Sequence, residues 1–496
     1  MKKSLEFNAL FEKAYDFNQR KAFIIALDYV NSALSLRNFV SRKLQFEALL
    51  LRGELKLKLG RYTCSIADFN KAIEIDSTIS NVYSFRGAAL LELDQYKSAK
   101  KDFDKAIELD NRNYTDFYNR GLTYYFLKDF ENAIQDLNDA IDLAPNSAEG
   151  FLYRGLSKYN IGKRIDALKD LENAFYYNSN LSLTLYSLGL LNNDLGKPRE
   201  ALTYLNKALY LIPEDASSYY ERGRSFYMLG EHEQSIQDLN KSIEFGEKES
   251  NTYFMLGMSK FILGKTKRAI KDFDKVINKD LTNINGFLKR GICKYHLKSF
   301  IAAKDDFKKA YHLSERNIES LFWMGMTNIE LEKFDEGIEV LTKLLDIDPD
   351  YEMAYSIRGI AKCRLKLFDS AIIDFNKALE FNSHLIEIIF YRGLAKYDLN
   401  LISESITDIE KAIQLDPDNI RFLNHKGLLL CNSRRYKEAI EVYENVIKID
   451  PQNTIALKCS EYIKDFLKTE ENKINHFDND LIEMHFKDKY VINKHH

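Results

Sequence analysis

Twelve glycines stand 34 residues apart with no insertion between them: Gly53, Gly87, Gly121, Gly155, Gly189, Gly223, Gly257, Gly291, Gly325, Gly359, Gly393 and Gly427. A fixed period of this length means one supersecondary unit, copied and stacked on itself. Other positions keep the same frame. Twelve residues after each glycine the side chain is always small: Ala eight times, Ser at 65, 235 and 405, Gly at 337. Nineteen after it is Ala in eight of the twelve copies, and six after it is Leu in ten. Proline follows 24 residues after the glycine at 145, 213, 349, 417 and 451, where it can end a helix.

Within a copy the apolar spacing has helical period, not strand period. The stretch 114–147 predicts a first helix over about 115–127 and a second over about 130–143, with Gly121 in the middle of the first. A helix-interior glycine costs about 0.8–1.0 kcal/mol against alanine, so twelve cost on the order of 10 kcal/mol. Close packing is the compensation to expect, with Gly121 and Ala133 as the nearest points of two antiparallel helices.

This helix-turn-helix, with its small-residue pattern and 34-residue period, resembles the tetratricopeptide repeat. The resemblance covers residues 46–453 and implies an all-α fold, an α-α superhelical solenoid of antiparallel helix pairs. Residues 1–45 read as a degenerate thirteenth copy with a longer loop: Ala14 stands where the glycine should be, while Phe23, Ala26, Val30 and Ala33 keep the frame. Residues 454–470 read as a closing helix, and 471–496 as a polar tail whose composition allows mobility. Within the tail, "DLIEMHFKDKYVI" is amphipathic; docking on a neighbour, folding back on the array and partial disorder all stay open.

Arginine precedes the glycine in eight copies, at 52, 86, 120, 154, 222, 290, 358 and 392. Each has an aspartate sixteen residues later, at 68, 102, 136, 170, 238, 306, 374 and 408. The copies without arginine carry Leu188/Tyr204, Leu256/Asp272, Met324/Val340 and Lys426/Val442, so three of these four lack the aspartate too. This co-variation predicts a bridge between the two helices of one copy, as in Arg120–Asp136. A row of arginines reading an acidic partner is the functional alternative.

No catalytic constellation emerges, and the chain reads as a non-enzyme without cofactor. "GKT" at 264–266 has its preceding glycine, Gly257, at the wrong spacing for a phosphate loop, and it lies in a helix-to-helix turn. There is no HExxH, GxSxG or GxGxxG. Paired acids such as Asp305/Asp306 belong to repeated solvent-face or interhelical charge. Four of nine histidines (His476, His485, His495, His496) fall in the last 21 residues without metal-ligand spacing, so no metal is assigned.

Composition sets the remaining bounds. A net charge of −3 offers no electrostatic case for nucleic acid or an anionic membrane. The start, "MKKSLEFNALFEKAYDFN", lacks the apolar run of a signal peptide, and no apolar stretch approaches a membrane span. Five scattered cysteines without CxxC favour a reducing compartment, hence a cytoplasmic protein.

In the family that the array resembles, the first helices line a concave surface that holds extended peptides or partner helices. The lining positions fall three before, one after and four after the glycine. They supply an aromatic strip with little charge: Tyr118, Tyr125, Tyr159, Tyr186, Tyr220, Tyr227, Phe254, Phe261, Tyr295, Phe322, Phe390 and Tyr397. Residues at the second and third positions have an alternative role, packing on the next copy. The aromatics three before the glycine are expected to be the more exposed. Two specialised branches fit poorly: no copy has the Lys/Asn pair of the chaperone-tail clamp, and only Asn119 matches the asparagine ladder of the glycosyltransferase-associated arrays. The ninth copy departs most, with the single Trp323 and with Leu344 in place of alanine, a size increase that would bend the superhelix if it widened the spacing there. The reading is a protein-interaction scaffold or adaptor, its partner a protein or peptide of unnamed identity, with self-association left open. The alternative is a single-stranded RNA-binding helical-repeat protein, which would want a basic groove.

Overall fold

The computed structural model describes residues 2–468. Among these are 27 α-helices, one short 3-10 turn at Arg37–Phe39 and no strand. None of the helices is long and apolar enough to cross a membrane. The chain forms two compact units divided between Lys248 and Glu249. Each is all-α, a solenoid of antiparallel helix pairs. Numbered by their glycines, repeats one to six lie in the N-terminal unit and repeats seven to twelve in the C-terminal unit. The expected tail at 471–496, with its amphipathic segment, lies outside the described residues.

Repeat three shows how the local sequence makes each pair. Its helices span Tyr114–Phe126 and Phe130–Leu143, within a residue of expectation. The Asn113 side chain accepts from Thr115 N at 3.0 Å and caps the first helix. At the far end Lys128 turns left-handed (φ 62°), and Asp129 N donates to Tyr124 O at 2.9 Å, closing the last turn. The residue seven after the glycine adopts this conformation in all twelve repeats, with φ between 55° and 80°. It is glycine in five, at 60, 162, 196, 230 and 264. The "GKT" glycine is therefore a helix-ending residue, at φ 70°.

The helix pairs nest on the motif glycine, and a side chain from the partner helix covers it. A Cβ placed on Gly121 would lie 2.9 Å from Leu137 Cγ and 3.3 Å from Asp136 Cβ, nearer than any atom of Ala133. The glycine is roofed by the residue sixteen after it, one turn beyond the small one. The reason is directional: helix side chains lean toward their own N-terminus, so Leu137 reaches back over the level of Ala133. The small residue acts through its backbone. Ala167 O would lie 3.2 Å from a Cβ on Gly155, and Ser65 Oγ donates to Gly53 O at 2.8 Å.

The degenerate pair at the N-terminus spans Lys2–Gln19 and Phe23–Ser35, with Ala14, Ala26, Val30 and Ala33 fully buried. Beyond repeat twelve, the helix Thr454–Lys468 buries Ala456, Cys459 and Ile463. Within each unit, successive first helices touch directly, most extensively in repeats five and six; successive second helices do so less. The first helices thus lie on the inner side of each stack.

All eight arginines make a two-pronged bond to the aspartate sixteen residues on. Arg120 Nε donates to Asp136 Oδ2 at 2.7 Å and Nη2 to Oδ1 at 2.8 Å. The geometry is the fork-to-fork match that favours arginine over lysine. Repeat seven, which kept Asp272 without an arginine, holds it with Lys260 at 2.6 Å. The arginines also do something the sequence reading missed. Their remaining Nη1 reaches back to the preceding helix pair: Arg86 to Asn70 at 2.7 Å, Arg120 to Asp104 at 2.9 Å, Arg154 to Asn138 at 2.8 Å. Each guanidinium therefore joins three helices across two repeats. The signal was legible, since an acceptor stands sixteen residues before each of these three arginines, while Lys308 stands sixteen before Met324.

Two outcomes follow from this packing. Arg120→Leu leaves Asp136 buried without its cation and should cost about 3–5 kcal/mol. Arg120→Leu with Asp136→Val, the Met324/Val340 solution of repeat nine, should recover most of that in a double-mutant cycle read by denaturant unfolding. Asp116, fully buried in the first turn of its helix, accepts from Asn113 at 2.8 Å, and burial raises its pKa. A carboxyl whose folded pKa is raised binds its proton longer than in the unfolded chain. Its stabilising contribution is therefore lost as pH rises through the folded value. Asp116→Asn should gain stability relative to wild type as pH is raised from about 4, and a pH-independent difference would refute this assignment.

Candidate functional site

The twelve aromatic candidates all sit on first helices, and the structure uses most of them to join neighbouring repeats. Phe322 and Phe390 are core residues, 6% and 0% exposed. The other ten are half-buried. The expectation that aromatics three before the glycine stand out is not met: Tyr118, Tyr186, Tyr220 and Phe254 are half-buried like the rest. The cause is mutual packing. Tyr118 stacks on Tyr114 at 5.7 Å and meets the edge of Tyr153 at 6.3 Å, while Tyr125 meets Tyr153 at 5.5 Å. Phe254 lies against Phe273 at 5.8 Å, Tyr227 against His232 at 5.4 Å and Phe261 against His296 at 5.4 Å.

Three of the five tyrosines four after the glycine, Tyr159, Tyr295 and Tyr397, share a contact the sequence reading did not extract. Their hydroxyls bond the residue five after the glycine in the next repeat. Tyr159 donates to Asp194 Oδ2 at 2.6 Å, Tyr295 to Glu330 Oε1 at 3.4 Å, and Tyr397 accepts from Asn432 Nδ2 at 2.6 Å. Burial, helped by the bonded Asp194, pushes the Tyr159 hydroxyl up to about 12, so it stays a donor at neutral pH. The 35-residue offset was visible: Asn160 follows Tyr125 at the same spacing.

The little charge on the strip is concentrated in repeats four to six. Arg224, one after its glycine, donates to Asp194 Oδ1 at 2.8 Å and to Glu221 Oε2 at 3.3 Å. Asn193 donates to Glu221 Oε2 and to the Glu221 carbonyl, both at 2.9 Å, and accepts from Ser225 Oγ at 2.7 Å. Together with Tyr159 these residues form a polar crossing over three first helices, Ala148–Asn160, Ser182–Asp194 and Ala216–Met228. Burial raises the Glu221 pKa against the opposing pull of Asn193 and Arg224. Repeat five has neither the arginine nor the aspartate of its siblings, and this crossing ties it to repeat six instead.

In repeat nine, Trp323 is half-buried against Tyr295 at 5.2 Å and Phe307 at 6.2 Å, and Leu344 is fully buried. Of the adjacent acids Asp305 and Asp306, Asp306 is held by Arg290 at 2.6 Å and Lys294 at 2.7 Å. Among the described residues no group of three or more His, Cys, Asp or Glu side chains converges as a metal site would require.

Models described as tetratricopeptide repeat match residues 46–79, 80–113, 116–147, 186–250, 250–280, 318–351 and 420–453, together just over half of the chain. The chain belongs to the tetratricopeptide repeat family. No curated protein matches it in sequence. Among solved structures it is similar to the APC/C hetero-tetramer Cut9-Hcn1, with 14% identity over 92% of this chain and 96% of that one, at a TM-score of 0.38. It is also similar to yeast Tom70, with 18% identity over 86% of this chain and 97% of that one, at 0.34. YrrB, described as a TPR protein with an unusual peptide-binding site, shares 23% identity over 36% of this chain and 92% of its own, at 0.32.

The tetratricopeptide crossing can be probed at its centre. Asn193→Ala removes one donor from the buried Glu221 carboxylate and one from its main-chain carbonyl, while Ser225 keeps its bond to Glu221 O, so it should cost about 1–3 kcal/mol. Native-state hydrogen exchange should show the loss in Ala216–Met228 and Ser182–Asp194, with repeats one and two unchanged.

Proposed function

We propose that this tetratricopeptide protein is a non-enzymatic scaffold or adaptor in the cytoplasm, binding a peptide or partner protein along the concave face of its first helices. The observation that carries the reading is the run of half-buried aromatics on successive first helices of the N-terminal unit, from Tyr118 to Tyr227, anchored by their neighbours. Aromatic side chains that are already ordered can contact a partner at little entropic cost, and those with a hydroxyl keep a polar handle. Phe322 and Phe390 belong to the core and are withdrawn from direct contact. The twelve glycines, with Arg120 and Asp136, are assigned the structural role of holding that face in place.

The RNA alternative draws no support from the charge distribution. The eight arginines before the glycines are engaged by aspartates, so they form no row open to phosphates. A cytoplasmic setting accords with the five cysteines, four of them buried and all free.

Affinity purification with mass spectrometry, comparing wild type with Tyr118→Ala/Tyr220→Ala/Phe254→Ala, tests the proposal. Prey specific to the wild type, lost or depleted several-fold in the variant, is the expected result. Identical prey sets, with matching circular dichroism for the two proteins, would move the binding surface off this face.

A further inference from the structure

We infer that the N-terminal end of the first unit is a docking surface for an anionic lipid bilayer. The overall charge of −3 conceals an uneven distribution: residues 1–45 carry eight lysines and arginines against four acids. Five of those cations gather at one end of the degenerate helix pair. The pair is antiparallel, so the start of Lys2–Gln19, the end of Phe23–Ser35 and the start of Arg42–Lys58 all lie at that end. Lys2, Lys3, Arg37, Arg42 and Lys43 are there, all exposed, and none makes an ion pair among the described residues. The motif arginines elsewhere are neutralised by aspartate, whereas these five cations have no carboxylate partner among the described residues.

Two apolar side chains sit among the cations. Leu5 is 65% exposed and Phe39 is 51% exposed, and Lys3 Nζ lies 4.4 Å from the Phe39 ring centroid, which fixes the two segments side by side. The loop that presents Phe39 is the one made longer than its counterparts, and it is held in shape. Gln45 Nε2 donates to Arg37 O at 3.0 Å and to Val40 O at 3.2 Å, while Ser41 Oγ caps the next helix at Leu44 N. Leu36 and Val40 turn into the core, leaving Phe39 outward.

Cations around an outward leucine and phenylalanine suit the boundary between acidic headgroups and acyl chains. The charges draw the surface in and the apolar groups enter it. A nucleic acid would satisfy the charges but offers Leu5 nothing to stack on, and the bilayer is therefore the better match. Glu6 and Glu47 are the nearest acids in sequence, and neither is paired with the five cations.

The test is flotation of the full-length protein with vesicles of phosphatidylcholine alone and of phosphatidylcholine with phosphatidylserine. Wild type should float only with the second kind, and less at high salt. Lys3→Glu/Arg37→Glu/Arg42→Glu should lower binding roughly tenfold or more, and Leu5→Ser/Phe39→Ser several-fold, both with unchanged circular dichroism because every altered side chain is exposed. Equal flotation with the two vesicles, or undiminished binding by either variant, would overturn the inference. So would retention of a single-stranded RNA oligonucleotide without vesicle binding.

Discussion

Everything in this chain depends on a backbone-to-side-chain contact at the centre of each helix pair, where a glycine with no Cβ accepts the weight of a Leu, Ile, Phe or Tyr from the partner helix. Helix propensity argues against glycine at those twelve points, and the packing overrules it. The approach distance explains why. A methyl group on Gly121 would intrude on Leu137 and Asp136 together, so the apolar roof and the ion-pair acceptor are both set by the same missing atom. The Arg–Asp fork then bridges the two helices just beside the contact, and its third arm reaches the repeat before. Tight nesting inside a repeat and registry between repeats are one arrangement seen from two sides.

The inner face inherits its character from this arrangement. Because first helices approach each other more closely than second helices, whatever sits four and five residues after the glycine meets its counterpart in the next repeat. Tyrosine and a carboxylate or amide solve that meeting with a hydrogen bond, as Tyr159 and Asp194 do. Repeat five, lacking the arginine and the aspartate, solves it with the Asn193–Glu221–Arg224 crossing. The aromatic residues are therefore joinery first, and what they offer a partner is the half of each ring that joinery leaves open.

Much of this was legible in the sequence because a 34-residue period fixes which positions are equivalent, and equivalence turns co-variation into contact. Helix boundaries in repeat three and the Arg–Asp fork came directly from it. What was misjudged depended on direction. That Leu137 roofs Gly121 was not read, because spacing alone ignores the lean of side chains toward the helix start. The aromatics three before the glycine were expected to stand out because period says nothing about how far a ring is covered by its neighbours. The back-reaching arm of arginine went unnoticed for a simpler reason: only the aspartate sixteen residues ahead was compared, and Asn70, Asp104 and Asn138 lie sixteen behind.

That back-reaching arm makes the order of the repeats matter. A repeat with Asn, Asp or Thr at the acceptor position inside its second helix presents a socket, and an arginine in the next repeat is the plug. Lys308 presents no socket, and Met324 after it carries no plug. Seven of the eight arginines are matched in this way to the copy before, although Glu172 before Leu188 is an acceptor left without an arginine. Excising repeat nine would set Lys308 against Arg358, cation facing cation, so this array cannot be shortened or reshuffled at every seam with equal ease, although all its copies have the same length.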